Sequence, residues 1–313
     1  MLIYLIRRVA LAVVVLFGLM IATFLIIHLV PGDPVRAVIG GNAPPAEINR
    51  IRDQLGLNEP LLTQFWHYVS HTFQGHLGQS YSLGIPVGQA IDGRIGPSAA
   101  LICYALLLSV LIGFPLAIYA ALHPNGLFDN IIRLGTTFMF AMPAFWLGLL
   151  LALVFGLELH WLPTSGYSGG VGGLLRTLLL PALTLGLPLA TVVVRTLRSS
   201  LLEVLGSDYI DAARSRGLSM RRIVTRHALR NAVMNTLTVL SVNIGFLIGG
   251  TLVVEQVFQI PGMGSLLFGA VEKRDYQLVQ AISLLAGSAV VLASLAADLL
   301  QAALDPRVRL GGR

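Results

Sequence analysis

Charge is what this sequence has least of: charged residues make up 12% of its 313 positions against 55% hydrophobic ones, and the mean hydropathy is +0.79. An average soluble domain carries about 25% charged residues, so the chain reads as a polytopic membrane protein, all-α in class. Cysteine is almost absent too. Cys103 stands alone, which excludes a disulfide framework and a cysteine metal cluster. Chemistry-bearing motifs are also missing: there is no G-x-x-x-x-G-K-[ST] phosphate loop, no H-E-x-x-H zinc motif and no G-x-S-x-G nucleophile elbow. The chain is therefore expected to carry no catalytic residue and not to hydrolyse ATP or peptide bonds by itself. No evident inverted repeat of hydropathy points to a secondary transporter. The net charge is +6, mostly from arginine, but the basic residues sit between apolar runs instead of forming the continuous basic face of a nucleic-acid binder.

What is present is a series of apolar runs. A membrane-crossing helix needs roughly 20 apolar residues, and six stretches qualify: 9–30, 99–122, 131–157, 174–197, 232–254 and 279–304. The first follows Arg7 and Arg8 but is too long for a secretory h-region and lacks a small-residue cleavage site, so an uncleaved anchor is expected. Arginines set the orientation. Arg7 and Arg8, the arginines from Arg195 to Arg230, and Arg307, Arg309 and Arg313 fall on one side of six spans, and the positive-inside rule makes that side cytoplasmic, with both termini inside. Lys273 and Arg274 fall outside as an exception.

Residues 31–98 are too long for a plain loop and predict a small external subdomain. It should contain amphipathic helices at 47–55 and 61–73, with Gly75, Gly78, Gly84, Pro86 and Gly88 marking turns. His67 and His71 lie one helical turn apart with His76 nearby, but no acid completes a metal set at suitable spacing, so a solvated helix face is the better reading and no metal is expected. Within the spans, Pro115, Pro143, Pro181 and Pro188 are expected to interrupt the second to fourth helices, which argues for a bundle whose neighbours satisfy the freed carbonyls. On the fifth run, Asn235, Thr238, Ser241, Gly245 and Gly249 share one helical face. Gly245 and Gly249 fit a close-packing seam, and the polar residues fit a passage lining if that seam borders a passage. Glu255 and Asp298 are ionisable groups near opposite ends of spans, so they cannot form an acid/base pair.

The longest polar interruption of the second half runs from 207 to 232, within a connecting loop spanning 199–231. It reads as two short helices meeting at Gly217. Asp208 and Asp211 suit a helix start, Arg214 and Arg216 a helix end, Gly217 a left-handed C′ position, and Ser219 the cap of the next helix. The first helix is too short to persist without packing. Ala212 and Ala213 leave its face thin enough for a partner's surface to approach closely. The stretch is either an ordinary basic cytoplasmic loop or a docking helix.

A resemblance favours docking. Tyr209, Asp211-Ala212-Ala213, Arg214, Gly217-Leu218-Ser219 and the run Arg226 to Ala232 resemble the coupling loop of ABC importer permeases, in the variant of the dipeptide, oligopeptide and nickel permease family, closest to a dipeptide permease. Pro31-Gly32-Asp33-Pro34, Leu55-Gly56-Leu57, Leu77-Gly78 and Pro86-Val87 fit the same pattern, as does the terminal run Leu304 to Arg309. Val253-Val254-Glu255, with Val257-Phe258 and Pro261-Gly262-Met263-Gly264, is similar to the family's external gate, where a re-entrant turn follows the fifth helix. The resemblance implies a type I importer permease with its core at 99–304, flanked by the segments 1–30, 31–98 and 305–313. It implies a second homologous permease, two cytoplasmic ATPases holding ATP and Mg, an external substrate-binding protein, and location in the cytoplasmic (inner) membrane. Tyr209, Asp211, Ala212, Ala213, Arg214, Gly217 and Leu218 would take the ATPase motion, while Glu255, Pro261, Gly262, Asn235, Thr238 and Ser241 would serve gate or passage. Peptides are the expected cargo, with glutathione, haem and nickel chelates as other family cargoes. The alternative from another class is an ATP-independent channel or anchor whose basic loop binds a cytoplasmic regulator.

Overall fold

The computed structural model describes residues 2–29 and 58–304, together with the isolated positions 44, 46, 50 and 52. The expected helix at 47–55, the motifs at 31–34 and 55–57 and the arginines after 304 lie outside the described residues. Among those described, five helices are long and apolar enough to cross a membrane, and a bent pair makes a sixth span if it is counted as one. The chain divides into two compact units, one of residues 99–260 with 293–313 and one of residues 2–98 with 261–292.

In the first unit the fourth span, Leu179–Leu205, is the hub: 61% of its apolar window is buried, against 17–28% in the other spans. Its upper half joins Leu101, Leu247, Val254 and Phe258 in one cluster through Leu180, Leu185 and Leu189. Its lower half joins Ala117, Ile210, Ile223 and Ala228 in another through Leu197, Leu201 and Leu205. Small residues let backbones meet. A Cβ on Gly186 would lie 2.9 Å from the Ala105 carbonyl oxygen, and one on Gly113 would lie 2.7 Å from the Val193 side chain, so these glycines set how closely the second and fourth helices pack.

The helices differ from the hydropathy reading in four places. The second runs Val87–Leu122, twelve residues earlier than expected. Gly88 was expected to mark a turn, and Gly93 and Gly96 follow it, but Val87, Ala90 and Ile91 are buried against neighbours, and that packing offsets the cost of glycine in a helix. The third is not continuous. Met142 takes an extended conformation before Pro143, as a pre-proline residue prefers, and Leu127–Ala141 meets Ala144–Glu158 at a bend of 108°. The other prolines do not break their helices: Pro181 lies in a first turn, and Pro115 and Pro188 lie within Val87–Leu122 and Leu179–Leu205. The fourth span begins at Leu179, after a separate short helix Val171–Thr177. The fifth begins at Met220, not Ala232, and continues to Val257, with a π-helical segment at Ile223–Ala228. Polar residues had hidden its start, because helical winding does not require lipid.

The second unit contains the first span, Leu2–Leu29, and the expected helix Leu61–Phe73. Phe65 of that helix packs edge-on against Phe17 and Phe24, and the Tyr68 hydroxyl lies 3.1 Å from that of Thr23. Gly75, Gly78 and Gly84 all have positive φ and lie in the connections, as expected, but Pro86 is paired in a strand and Gly88 lies in the first turn of Val87–Leu122. A small antiparallel hairpin pairs Gln79–Ser80 with Ile85–Pro86. The unit closes with the short helix Met263–Glu272 and the start of Tyr276–Leu304.

Candidate functional site

The helix Asp208–Ser215 starts at Ser207, whose carbonyl accepts from the Ile210 and Asp211 amides. It ends in a Schellman motif. Gly217 has φ +74°, its N–H donates to the Arg214 carbonyl at 2.9 Å, and the Leu218 N–H donates to the Ala213 carbonyl at 3.3 Å, which pairs two carbonyls the helix end would leave open. Two acids stand in the first turn and Arg214 in the last, with the polarity that suits the helix dipole. Ser219 occupies the next N-cap position, but its hydroxyl makes no capping hydrogen bond. In place of a second short helix, the chain enters the long fifth helix there.

Eight residues do not hold a helix alone. Ile210, fully buried, anchors it among Leu197, Leu201, Leu205, Ile223 and Val224. Tyr209, Asp211, Ala212, Arg214 and Gly217 are exposed, while Ala213 and Leu218 are half-buried. The Asp211–Arg214 pair, 3.1 Å apart, is open to solvent on both sides and adds little stability. Arg216, Arg221, Arg222, Arg226 and Arg230 are exposed as well, so the helix presents its polar and thin face outward on a firmly seated base.

Three polar links tie this region to the spans. The Asn231 amide donates to the Tyr209 hydroxyl at 2.8 Å. Asn235 donates its amide to the Ser200 hydroxyl at 3.0 Å. Arg198 donates Nε and Nη2 to the two Asp129 oxygens at 2.7 and 2.6 Å, and the Asn125 N–H adds a third bond to the same carboxylate at 3.0 Å. Neither Asp129 nor Ser200 stood out in the sequence. The available signal was an acid in the first turn of a helix opening with Asn125-Gly126, but nothing local named Arg198 as its partner.

At the other end of the fifth helix Glu255 is fully buried. The helix stops at Phe258, Gln259 takes a left-handed φ of +54°, and the Ile260 N–H donates to the Glu255 carbonyl at 2.8 Å. Thr238 and Ser241 turn their hydroxyls back to the Met234 and Leu237 carbonyls, a way of satisfying polar side chains inside a helix. A Cβ at Gly249 would meet nothing within 4 Å. Within the chain the close approach is made by the neighbouring Gly250, against Leu185 at 3.0 Å.

In the second unit Pro261 and Gly262 lead into Met263–Glu272, whose first N–H, on Met263, donates to the Ser98 hydroxyl at 2.8 Å. Buried Asp275 follows. Its carboxylate accepts from the Ser80 hydroxyl at 2.6 Å, the Ser82 N–H at 3.0 Å and the Leu278 N–H at 3.2 Å, so one side chain holds the hairpin and caps the last helix. The rings of His67 and His71 stand 6.3 Å apart and those of His71 and His76 6.5 Å, and among the described residues no group of three or more His, Cys, Asp or Glu could hold a metal ion.

A short helix seated between the fourth and fifth spans of an all-α bundle is the arrangement of a type I importer permease. The chain belongs to the family described as binding-protein-dependent transport system inner membrane component, which matches residues 113–310, while the N-terminal region of the same kind of membrane component matches residues 1–86. Among its relatives, the glutathione transport system permease protein GsiC of Escherichia coli (strain K12) is 40% identical over 309 residues, 99% of each chain. GsiC of Salmonella typhimurium (strain LT2) is 40% identical over 312 residues, again 99% of each. The fold is also that of a chain of the MetNI methionine ABC transporter in an inward-facing conformation, at a TM-score of 0.56 and 16% identity, covering 68% of this chain and 94% of that one. The protein is thus a multi-pass inner-membrane permease subunit of an ABC importer, a class that works with ATPase and binding-protein partners, and the channel or anchor alternative falls away.

Proposed function

We propose that this permease admits glutathione or peptides of similar size to the cytoplasm by alternating access. The observation that carries the reading is the 40% identity, over 99% of both chains, to permeases of glutathione transport systems. A second, homologous permease would complete the passage, with Gly245 and Gly249 on the packing seam and Asn235, Thr238 and Ser241 near it. Two cytoplasmic ATPases, holding ATP and Mg, would grip the Asp208–Ser215 helix and the turn after it through Tyr209, Asp211, Ala212, Ala213, Arg214, Gly217 and Leu218. Supporting this is its seating: Ile210 is buried while the opposite face is exposed, so a push on that face reaches the fourth and fifth spans directly. Glu255, Pro261 and Gly262 would serve the external gate. Both termini would face the cytoplasm.

The test is uptake by the complete complex in proteoliposomes, with its binding protein outside and ATP inside. Labelled glutathione and a panel of dipeptides should accumulate only with hydrolysable ATP, and an excess of unlabelled glutathione should compete. Accumulation of a haem or nickel chelate alone would move the cargo elsewhere in the family.

A further inference from the structure

Resting on the importer reading, we infer that Asp129 and Arg198 are positioning residues of energy coupling, joining the turn between the second and third spans to the fourth span so that both travel with the Asp208–Ser215 helix as one lever. Asp129 is fully buried and the Arg198 side chain is 17% exposed. A buried ion pair is seldom retained for stability, since well-packed apolar residues do as well, and what it adds is a defined geometry. Here the geometry is a two-pronged fork. Both Asp129 oxygens are engaged by one guanidinium at 2.7 and 2.6 Å, which fixes rotation as well as distance, as a single hydrogen bond or a lysine would not.

The position of the pair makes it a relay. Arg198 lies about two helical turns before the end of Leu179–Leu205. On the same stretch Leu197, Leu201 and Leu205 pack on Ile210 of the short helix, in one cluster with Ile223 and Ala228. A displacement of the short helix is therefore delivered to the end of the fourth span by tight apolar contact. From there Ser200 passes it to Asn235 of the fifth helix, and Arg198 passes it to Asp129. Asp129 in turn holds the amide of Asn125, which has a φ of +62°, so the carboxylate organises the whole turn as well as one end of a helix. Without the fork, the fourth span could roll against the turn and absorb the push. With it, the third span has to follow.

The experiment uses the assembled importer in proteoliposomes and reads binding-protein-stimulated ATP hydrolysis beside cargo moved per ATP. Asp129→Asn keeps the shape and Arg198→Lys keeps the charge. In each, hydrolysis is expected to stay within about twofold of the wild type while cargo moved per ATP falls about fivefold or more. Hydrolysis and transport falling together, or neither changing, would overturn the inference. Because a variant with a broken buried pair can fail to assemble, a second measurement leaves the pair intact. In a Cys103→Ser background, spin labels at Ser215→Cys and Asn130→Cys report the distance between the short helix and the turn. It is expected to hold within about 2 Å between nucleotide-free and ATP-bound complexes, the scale of small helix shifts, and a change near the 5.4 Å of a one-turn ratchet would overturn the lever. Absence of ATP-dependent uptake by the wild-type complex would sink the importer reading, whereas normal wild-type uptake with unaffected variants would sink only this inference.

Discussion

Gly217 does what no side-chain-bearing residue does as cheaply: it takes φ +74° and donates its N–H to Arg214, closing the helix and reversing the chain into the fifth span. Proline there would remove the donor and force φ to about −65°. Gly217→Pro is expected to reach the membrane in normal amount but to lose about tenfold or more in uptake, the equivalent of about 1.4 kcal/mol of coupling, and normal uptake would show that the helix is no lever. Gly217 was legible in the sequence because its requirement is local, written in the acids before it and the serine after it. Asp129 and Arg198 were not, being 69 positions apart. Each reads alone as one more charge at a membrane edge, and only the fold supplies the partner. Removing one member of such a pair leaves the other charge without its counter-ion, which destabilises the fold.

At the scale of the element, Asp275 binds three donors from two places, the Ser80 hydroxyl and Ser82 N–H of the hairpin and the Leu278 N–H of the last helix. Asp275→Ala would strand all three, each charged hydrogen bond being worth about 1.5–3 kcal/mol. The hairpin at 79–86 is then expected to become the first site cut in limited proteolysis of the purified complex, with Asp275→Asn intermediate, and an unchanged cleavage pattern would refute the clasp. The helices themselves were legible in proportion to their apolarity. A hydropathy reading finds what lipid would accept, so it located the six runs but not where the second, fourth and fifth helices begin. Val87–Leu122, 36 residues, is about 54 Å long at 1.5 Å per residue against a hydrocarbon layer of about 30 Å. Its polar extension looked like loop. The four prolines looked alike, yet only Pro143 breaks a helix, because the sequence does not tell whether packing around a proline can hold the chain in line.

For the whole molecule, the arginine distribution predicts a single orientation. A fluorescent protein fused after residue 313 should fold and fluoresce in the cytoplasm, and a phosphatase domain inserted at the turn near Gly75 should be active outside; the reverse pattern would invert the topology. Class was legible from composition, and function from the motifs around Gly217 and Glu255 taken together. Cargo was not, because Asn235, Thr238 and Ser241 are scattered single polar groups, bonded in this structure to Ser200 or to their own helix, and such residues spell no particular ligand. The break at Pro143 has a bearing on how the protein is made. The halves of the third span are 15 residues, 127–141, and 8 plus 7 residues, 144–158, each short of the roughly 20 a bilayer asks of a lone segment, and the first carries Asp129 and Arg133. Taken together the halves are apolar enough to cross, although neither is long enough alone. The buried Asp129 carboxylate meets its guanidinium only once Arg198 has been made, 69 positions later in the chain, so this end of the third span reaches its final packing only after the fourth span exists.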